Sequence, residues 1–323
     1  MRKLIALPLI AAVACSGGAL KDQARSAMPN KSTVAMGSPQ SSSTASSMAP
    51  ANQSVQDSTA GQPSPFFSLT VTVATVFNVP VALFLGLIET ITLQEPTKCD
   101  ATSCTWGPGS GALDYNIYQL VVSKNSDGMS FDWALSGQAK SKPGSNFVTV
   151  ASGNAVPGAQ AHHGSGKFTL DFDAAATLDG PHDATGLLNV TNYTNVGPAQ
   201  LAVTYTGAKD STVPTQKNNI VYSYANDTAG GGDLDFAVHN TTTGDRFSVH
   251  SRWKNNGTGR ADTAGLGSGY NVSLSECWGA APFNVVFFSS SIKINVPPFG
   301  GPDSGVETDC AYSPAAFSSK TAP

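Results

Sequence analysis

Downstream of Leu113 the chain is organised by a period of two. Short runs in which apolar and polar residues alternate return roughly every 12 to 20 residues, separated by Gly, Pro, Asn and Asp clusters. They cover 116–123, 130–139, 146–152, 166–173, 186–194, 200–206, 219–225, 233–240, 245–254, 269–277 and 284–295. About eleven strands with no helical pattern between them predict an all-β fold built as an antiparallel meander across 113–295. Exposed sheet edges invite pairing with other chains, so the expected architecture is a barrel or a strongly curved sheet, with a two-sheet sandwich as the alternative. One hairpin can be set in register: a loop over Thr241 to Gly244 puts Phe236 opposite Val249 and Val238 opposite Phe247 on one face. The other face then pairs Asp233 with Arg252 and Asp235 with His250, and a slip of one residue would bury these charges.

Residues 66–93 break this rhythm. They form an almost unbroken apolar run whose single charge is Glu89. The length suits a membrane span. Pro80 in the middle and the recurring Thr and Asn favour instead a buried, Pro-interrupted helix sheltered by the sheet. A transmembrane helix and strands, the latter from the alternation over Leu69 to Val73, are the rival readings.

Residues 16–64 are rich in Ser, Ala, Gln, Thr and Pro and carry no aromatic residue before position 65. That composition predicts a disordered tether with an average reach of about 40 Å. Ahead of it stand Arg2 and Lys3, an apolar stretch from Leu4 to Val13, and Ala14 before Cys15, the layout of an export signal. The run Ala12-Val13-Ala14-Cys15 resembles a bacterial lipobox, which makes Cys15 the expected lipidation site. Ser16 after it fits outer-membrane sorting. With Cys15 acylated, four cysteines remain, and in an oxidising compartment they pair. The expected bridges are Cys99–Cys104 and Cys277–Cys310, the second tying a C-terminal tail, 296–323, to the domain.

Only 12% of residues are charged and the net charge is −4, so no cationic field for nucleic acid exists. Among chemistry-bearing positions, Asp171 and Asp173 share one strand face and could serve as a hydrolytic carboxylate pair. An acidic solvent face is the plainer reading. His162, His163, His182 and Asp183 have metal-ligand chemistry but sit in Gly-rich loops, and they are expected to be surface histidines, with no metal and no cofactor. Arg246, His250, Arg252, Lys254 and Arg260 form the densest cationic group, with Trp253 on the opposite strand face. They could hold an anionic saccharide or headgroup, or simply be balanced by Asp233 and Asp235. No nucleophile elbow, zinc-protease helix or phosphate-binding loop is present.

The lipobox, the Ser/Pro-rich tether, Thr105-Trp106-Gly107-Pro108, the stretch Gly164 to Asp173, Ser251-Arg252-Trp253 and Glu276-Cys277-Trp278 together resemble uncharacterised secreted lipoproteins of myxobacteria. The resemblance implies an envelope address and a β-rich fold, and no site. The expected whole is a signal in residues 1–15, a tether in 16–64 and one β domain in 65–323, anchored in the outer membrane through its N-terminal lipid. Its work is expected to be non-catalytic, structural or the binding of an apolar or saccharide ligand. The alternatives are a hydrolase of envelope or extracellular polysaccharide, with Asp171, Asp173, His162 or His250 taking part, and an adhesive surface module.

Overall fold

The computed structural model describes residues 16–39, 58–111, 114–210, 213–227, 229–293 and 301–323. Two long helices precede the sheet, α1 (Ser16–Ala27) and α2 (Pro65–Thr92). The strands follow as β1 (Lys98–Cys99), β2 (Ser103–Gly109), β3 (Asn116–Lys124), β4 (Phe131–Ala139), β5 (Val148–Pro157) and β6 (Gly164–Asp171). A single turn of helix, α3 (Phe172–Ala175), leads to β7 (Leu187–Thr194), β8 (Gln200–Lys209), β9 (Lys217–Asn226), β10 (Gly232–Asn240) and β11 (Arg246–Trp253). The sheet ends with β12 (Gly259–Gly267), β13 (Tyr270–Trp278), β14 (Val285–Ser290) and β15 (Ser304–Gly305). Every described strand is antiparallel to its sequence neighbours, and the order from β1 to β15 is unbroken. The meander is therefore as expected, in one sheet and not two. Because β1 and β15 lie at opposite ends of the hydrogen-bonded order, the sheet is open and not a closed barrel.

One face of this sheet is predominantly apolar: Leu120 lies opposite Leu135, Phe168 opposite Val190, Val203 opposite Tyr222 and Phe236 opposite Val249, with Ser251, Thr263 and Glu276 as buried polar exceptions toward β13. The β10–β11 hairpin adopts the expected register, including Asp233 against Arg252 and Asp235 against His250. Strand β12 escapes the alternation rule because its inward positions, Gly259, Ala261, Thr263 and Gly265, are small. A Cβ at Gly259 would come within 2.3 Å of the Trp278 indole, and one at Gly232 within 2.3 Å of Trp253. Glycine there leaves room for the two large rings.

Helix α2 crosses this apolar face from one end of the sheet to the other. Phe67 meets Trp278 of β13, Thr70 bonds Ser251 of β11, Phe77 meets Tyr222 of β9 and Phe84 meets Phe172 of α3. Beyond its C-terminus, the Gln94 carbonyl accepts from Trp106 of β2 at 3.0 Å. The helix starts at the N-cap Ser64, whose Oγ accepts from the Phe67 amide, with Pro65 in the first turn, where a missing N–H costs nothing. Its threonines turn their hydroxyls back onto the helix, Thr70 to the Phe66 carbonyl and Thr75 to Val71, which satisfies them in apolar surroundings. Buried residues recur as Phe66, Thr70, Ala74, Phe77, Val81, Leu85, Ile88 and Thr92, one stripe of a 3.6-residue period. An apolar helix is thus present over the expected 66–93, displaced by one residue and with Pro80 inside it, but the sheet covers only one of its faces, Val76, Val79 and Leu83 being exposed.

The expectation of a tether over residues 16–64 is corrected wherever the chain is described. Leu20, Ala24, Ala27 and Met28 of α1 and its exit, then Val34 and Met36, are buried in the same core as α2. Lys21 pairs with Glu95 at 2.9 Å, and Arg25 Nε donates to the Thr92 carbonyl at 2.7 Å. Arg25 therefore closes the unsatisfied C-terminal end of α2 with a cation, the sign that end favours. Further on, the Met36 amide and carbonyl both bond the Asn78 side chain, at 2.8 and 2.9 Å. Residues 16–39 thus form a strap along α2. The amide of Gly61 and the carbonyl of Gln62 pair with Val285, so 58–64 is also held to the sheet. Residues 1–15, Cys15 among them, and 40–57 lie outside the described residues.

Both expected bridges are present, Cys99–Cys104 and Cys277–Cys310. The second holds residues 301–323 against the outer face of the sheet, opposite α2. There the His239 Nδ1 donates to the Pro323 carbonyl at 2.7 Å and Arg246 to Ala322 at 2.7 Å.

Candidate functional site

The densest polar constellation is built on the outer face of β11, β12 and β13, where alternation sends Arg252, His250, Arg260, Asp262 and Ser275 to the same side. Asp262 is fully buried and all its hydrogen bonds are made. Its Oδ1 accepts from Arg260 Nε at 2.8 Å and from Ser275 Oγ at 2.6 Å. Its Oδ2 accepts from Arg252 Nη2 at 2.9 Å and from the Ala316 amide at 2.9 Å. Arg260, also buried, donates to Glu307 at 2.7 Å, to the Tyr312 carbonyl at 3.0 Å and to Ser275 at 2.6 Å. The Tyr312 ring lies 5.2 Å from the Arg252 guanidinium and 5.8 Å from the Lys254 ammonium. The C-terminal segment thus roofs the cluster, and its own carbonyls and carboxylate take the guanidinium protons that an anionic ligand would use.

The balancing partners differ from expectation. Asp233, across the hairpin from Arg252, pairs with His250 at 3.0 Å, while Arg252 turns to Asp262 on the other neighbouring strand. Asp235 Oδ1 is buried without a hydrogen-bond partner. His250 faces two acceptors, Asp233 through Nε2 and the Ala316 carbonyl through Nδ1 at 2.8 Å. Both ring nitrogens can donate only in the imidazolium form. The Asp233 hydrogen bond accordingly raises the His250 pKa above its ordinary value, against desolvation and the Arg252 charge. Trp253 lies on the inner face, stacked on Tyr224, away from these cations.

The other singled-out residues serve the backbone. Strand β6 stops at Asp171, so Asp171 and Asp173 do not share a strand face as the alternation implied. Asp171 is the N-cap of α3, accepting from the Ala174 amide at 2.7 Å, and Asp173 accepts from the Gly186 amide at 2.9 Å. The carboxylates cap and brace a turn because Phe172 leaves the strand to pack under α2. His162 adopts φ 59° and clamps the strap, its Nδ1 donating to the Met28 carbonyl at 2.9 Å, and its carbonyl accepts from Thr33 at 2.8 Å. His182 Nε2 donates to the Leu178 carbonyl at 3.0 Å. The structure therefore does not bring Asp171, Asp173, His162 and His250 together. Among the described residues, no group of three or more His, Cys, Asp or Glu is placed to hold a metal ion.

The inner face holds a carboxylate that the sequence reading did not single out. Glu276 occupies an inward position between Leu274 and Trp278 and is fully buried. It accepts from Ser58 and Ser64 hydroxyls and from the Phe66 amide at 3.2 Å. Burial pushes its pKa up to about 7, although these three donors oppose the rise. An acid at an apolar-parity position of a strand was the available signal.

Open hollows of about 170 and 330 Å³ adjoin the C-terminal segment, the first beside Arg246 and Ala322 and the second beside Arg260, Ser275 and Glu307, and two others lie elsewhere on the sheet. One, of about 300 Å³, lies beside the C-terminal half of α2 between Phe84, Leu87, Tyr118, Val150, Phe172 and Leu178. Another, of about 590 Å³, is a shallow trough on β4 to β8 that includes Asp132, Asn154, Lys167, Thr169, Asn189 and Thr191. No protein-family model, curated protein or solved structure matches the chain.

Proposed function

We propose that the protein is an outer-membrane lipoprotein of the bacterial envelope, acylated at Cys15, whose β domain does structural rather than catalytic work. The observation that carries this reading is that the chain itself covers the apolar face of its sheet and, on the other face, the cationic cluster. Helix α2 and the strap fill the apolar side, and residues 301–323 cover the cationic cluster. Asp171, Asp173, His162, His182, Asp262 and Glu276 are each engaged in holding a turn, a helix end or a strand crossing. The two disulfides support export to an oxidising compartment.

A strongly curved sheet is part of this proposal. From Phe67 to Gln94 the helix rises about 40 Å, whereas β13 to β2 spans eleven strand spacings, about 53 Å along the sheet. A path longer than its chord supports a sheet bent around α2.

Intact-mass measurement of protein extracted from membranes, before and after reduction, tests the assignment. The expected mature chain begins at Cys15, carries acyl mass and gains four protons on reduction. A mature chain that starts elsewhere, or four free thiols, would overturn it. A second reading, saccharide binding or adhesion, is supported by the Asn/Thr-rich trough on β4 to β8. Loss of glycan binding in Asn154→Ala with Asn189→Ala would favour it.

A further inference from the structure

Helix α2 has a second face. Opposite the stripe that lies on the sheet, Thr72, Val76, Val79, Leu83, Gly86 and Thr90 recur at intervals of three and four. Val76, Val79 and Leu83 keep 60%, 53% and 71% of their surface open. This ridge runs for about 27 Å along the helix and carries no charge. The helix is, among the described residues, the one long and apolar enough to cross a membrane. It does not cross as a free span, because Phe66, Leu85 and Ile88 on its other side are completely covered by the sheet. An apolar ridge backed by a rigid sheet suits contact with the surface layer of a bilayer, about 5 to 10 Å deep.

The position of the anchor identifies the occupant. Cys15 immediately precedes α1, and α1 is fastened to the C-terminal end of α2 through Lys21–Glu95 and Arg25 with the Thr92 carbonyl. Ser16 is only about 8 Å of helix rise from Lys21. Packed residues, not a long leash, thus separate the acylated position from α2. The domain is held where its uncharged ridge reaches lipid. We propose that the outward face of α2 is a membrane-contact surface that seats the domain flat on the lipid leaflet, with a bilayer as its partner. The inference rests on the envelope reading, which puts the bilayer beside residue 15.

The test uses the mature chain with Cys15→Ser, which cannot be acylated, and vesicles of phosphatidylethanolamine and phosphatidylglycerol at 3:1, composition by choice. The unacylated chain is expected to float with the vesicles. Val79→Glu with Leu83→Glu should reduce the bound fraction at least tenfold, whereas Leu266→Glu, at an exposed position on β12, should leave it unchanged. The milder pair Val79→Thr with Leu83→Asn should reduce binding with an unaltered circular dichroism spectrum, which separates lost contact from lost fold. A Cys15→Ser chain that stays in the buffer overturns the inference even if the native protein is acylated. So does a concentration-dependent dimer that the glutamates dissociate while vesicles remain unbound, since the ridge would then meet a second copy. Flotation through α2 by a protein whose Cys15 proves unacylated removes the anchor and leaves the contact surface standing.

Discussion

Ser64 and Glu276 are hydrogen-bonded to each other across 212 positions of the chain. The same serine oxygen accepts from the Phe67 amide, so one contact both starts α2 and fixes it to β13. The carboxylate lies at the positive end of the helix, where an anion is favoured, inside an apolar layer where a charge is costly.

Replacing Glu276 by alanine leaves two hydroxyls and one amide without their acceptor. A loss of about 3 kcal/mol is expected in urea unfolding, in line with buried polar groups deprived of a partner. Glutamine, which still offers an oxygen, should lose less.

The same residue sets a pH dependence. Below about pH 4.5 the carboxyl is protonated in folded and unfolded chains alike, and its contribution to stability is fully present. As pH rises, the unfolded chain gives up its proton first, while the folded chain holds it to about pH 7. Stability should therefore fall between those limits by about 3 kcal/mol and level off above them. Comparison with Glu276→Gln, which lacks the slope, isolates the effect.

Histidine 250 should titrate above its ordinary value of 6.5, a midpoint that proton or nitrogen NMR can follow. In Asp233→Asn the midpoint should drop, since the acceptor that favours the imidazolium becomes neutral. The His250 contribution is fully present below pH 6.5 and is lost as pH rises through the folded midpoint.

Arg260→Ala removes one of the two guanidinium partners of Asp262, which keeps Arg252 and the Ala316 amide, and takes the cation from Glu307. The expected cost is about 3 kcal/mol in denaturant unfolding. Lysine should not restore it, because one ammonium cannot reach Asp262, Glu307 and Ser275 in the planar fork that the guanidinium supplies.

Cys277→Ser with Cys310→Ser opens a closure of 33 residues. A destabilisation of about 4 kcal/mol is expected from the chain-entropy model. Limited proteolysis should then cut within 301–323 before it cuts the strands.

How far the fold could be read from sequence follows from how many constraints met at each residue. The β10–β11 register was legible because Phe236, Val238, Val249 and Phe247 demanded one side while Asp233, Asp235, His250 and Arg252 demanded the other. β12 was illegible because its inward Gly259 and Ala261 give no hydrophobic alternation, the size of Gly259 being dictated by the Trp278 indole on the neighbouring strand. The strap looked like a tether because Leu20, Ala24, Ala27 and Met28, spaced as one helical stripe, are half alanine and sit among polar residues. Asp171 and Asp173 extended an alternation that the backbone abandons at Phe172. Arg252 meets Asp262 rather than Asp233 because each strand has two neighbours, and β12 carries no alternation that marks it as one of them.

The helix made early is the one seated late. Pro65–Thr92 is translated ahead of every strand, yet its footing includes Ser251 and Glu276, which lie 181 and 212 positions after the residues they hold. Until those strands emerge, the N-terminal half of these 28 residues lacks its footing on β11 and β13. A cell producing this chain must keep that segment apart from other apolar surfaces during synthesis, so helper proteins that shield nascent chains should matter more to its yield than to its final stability.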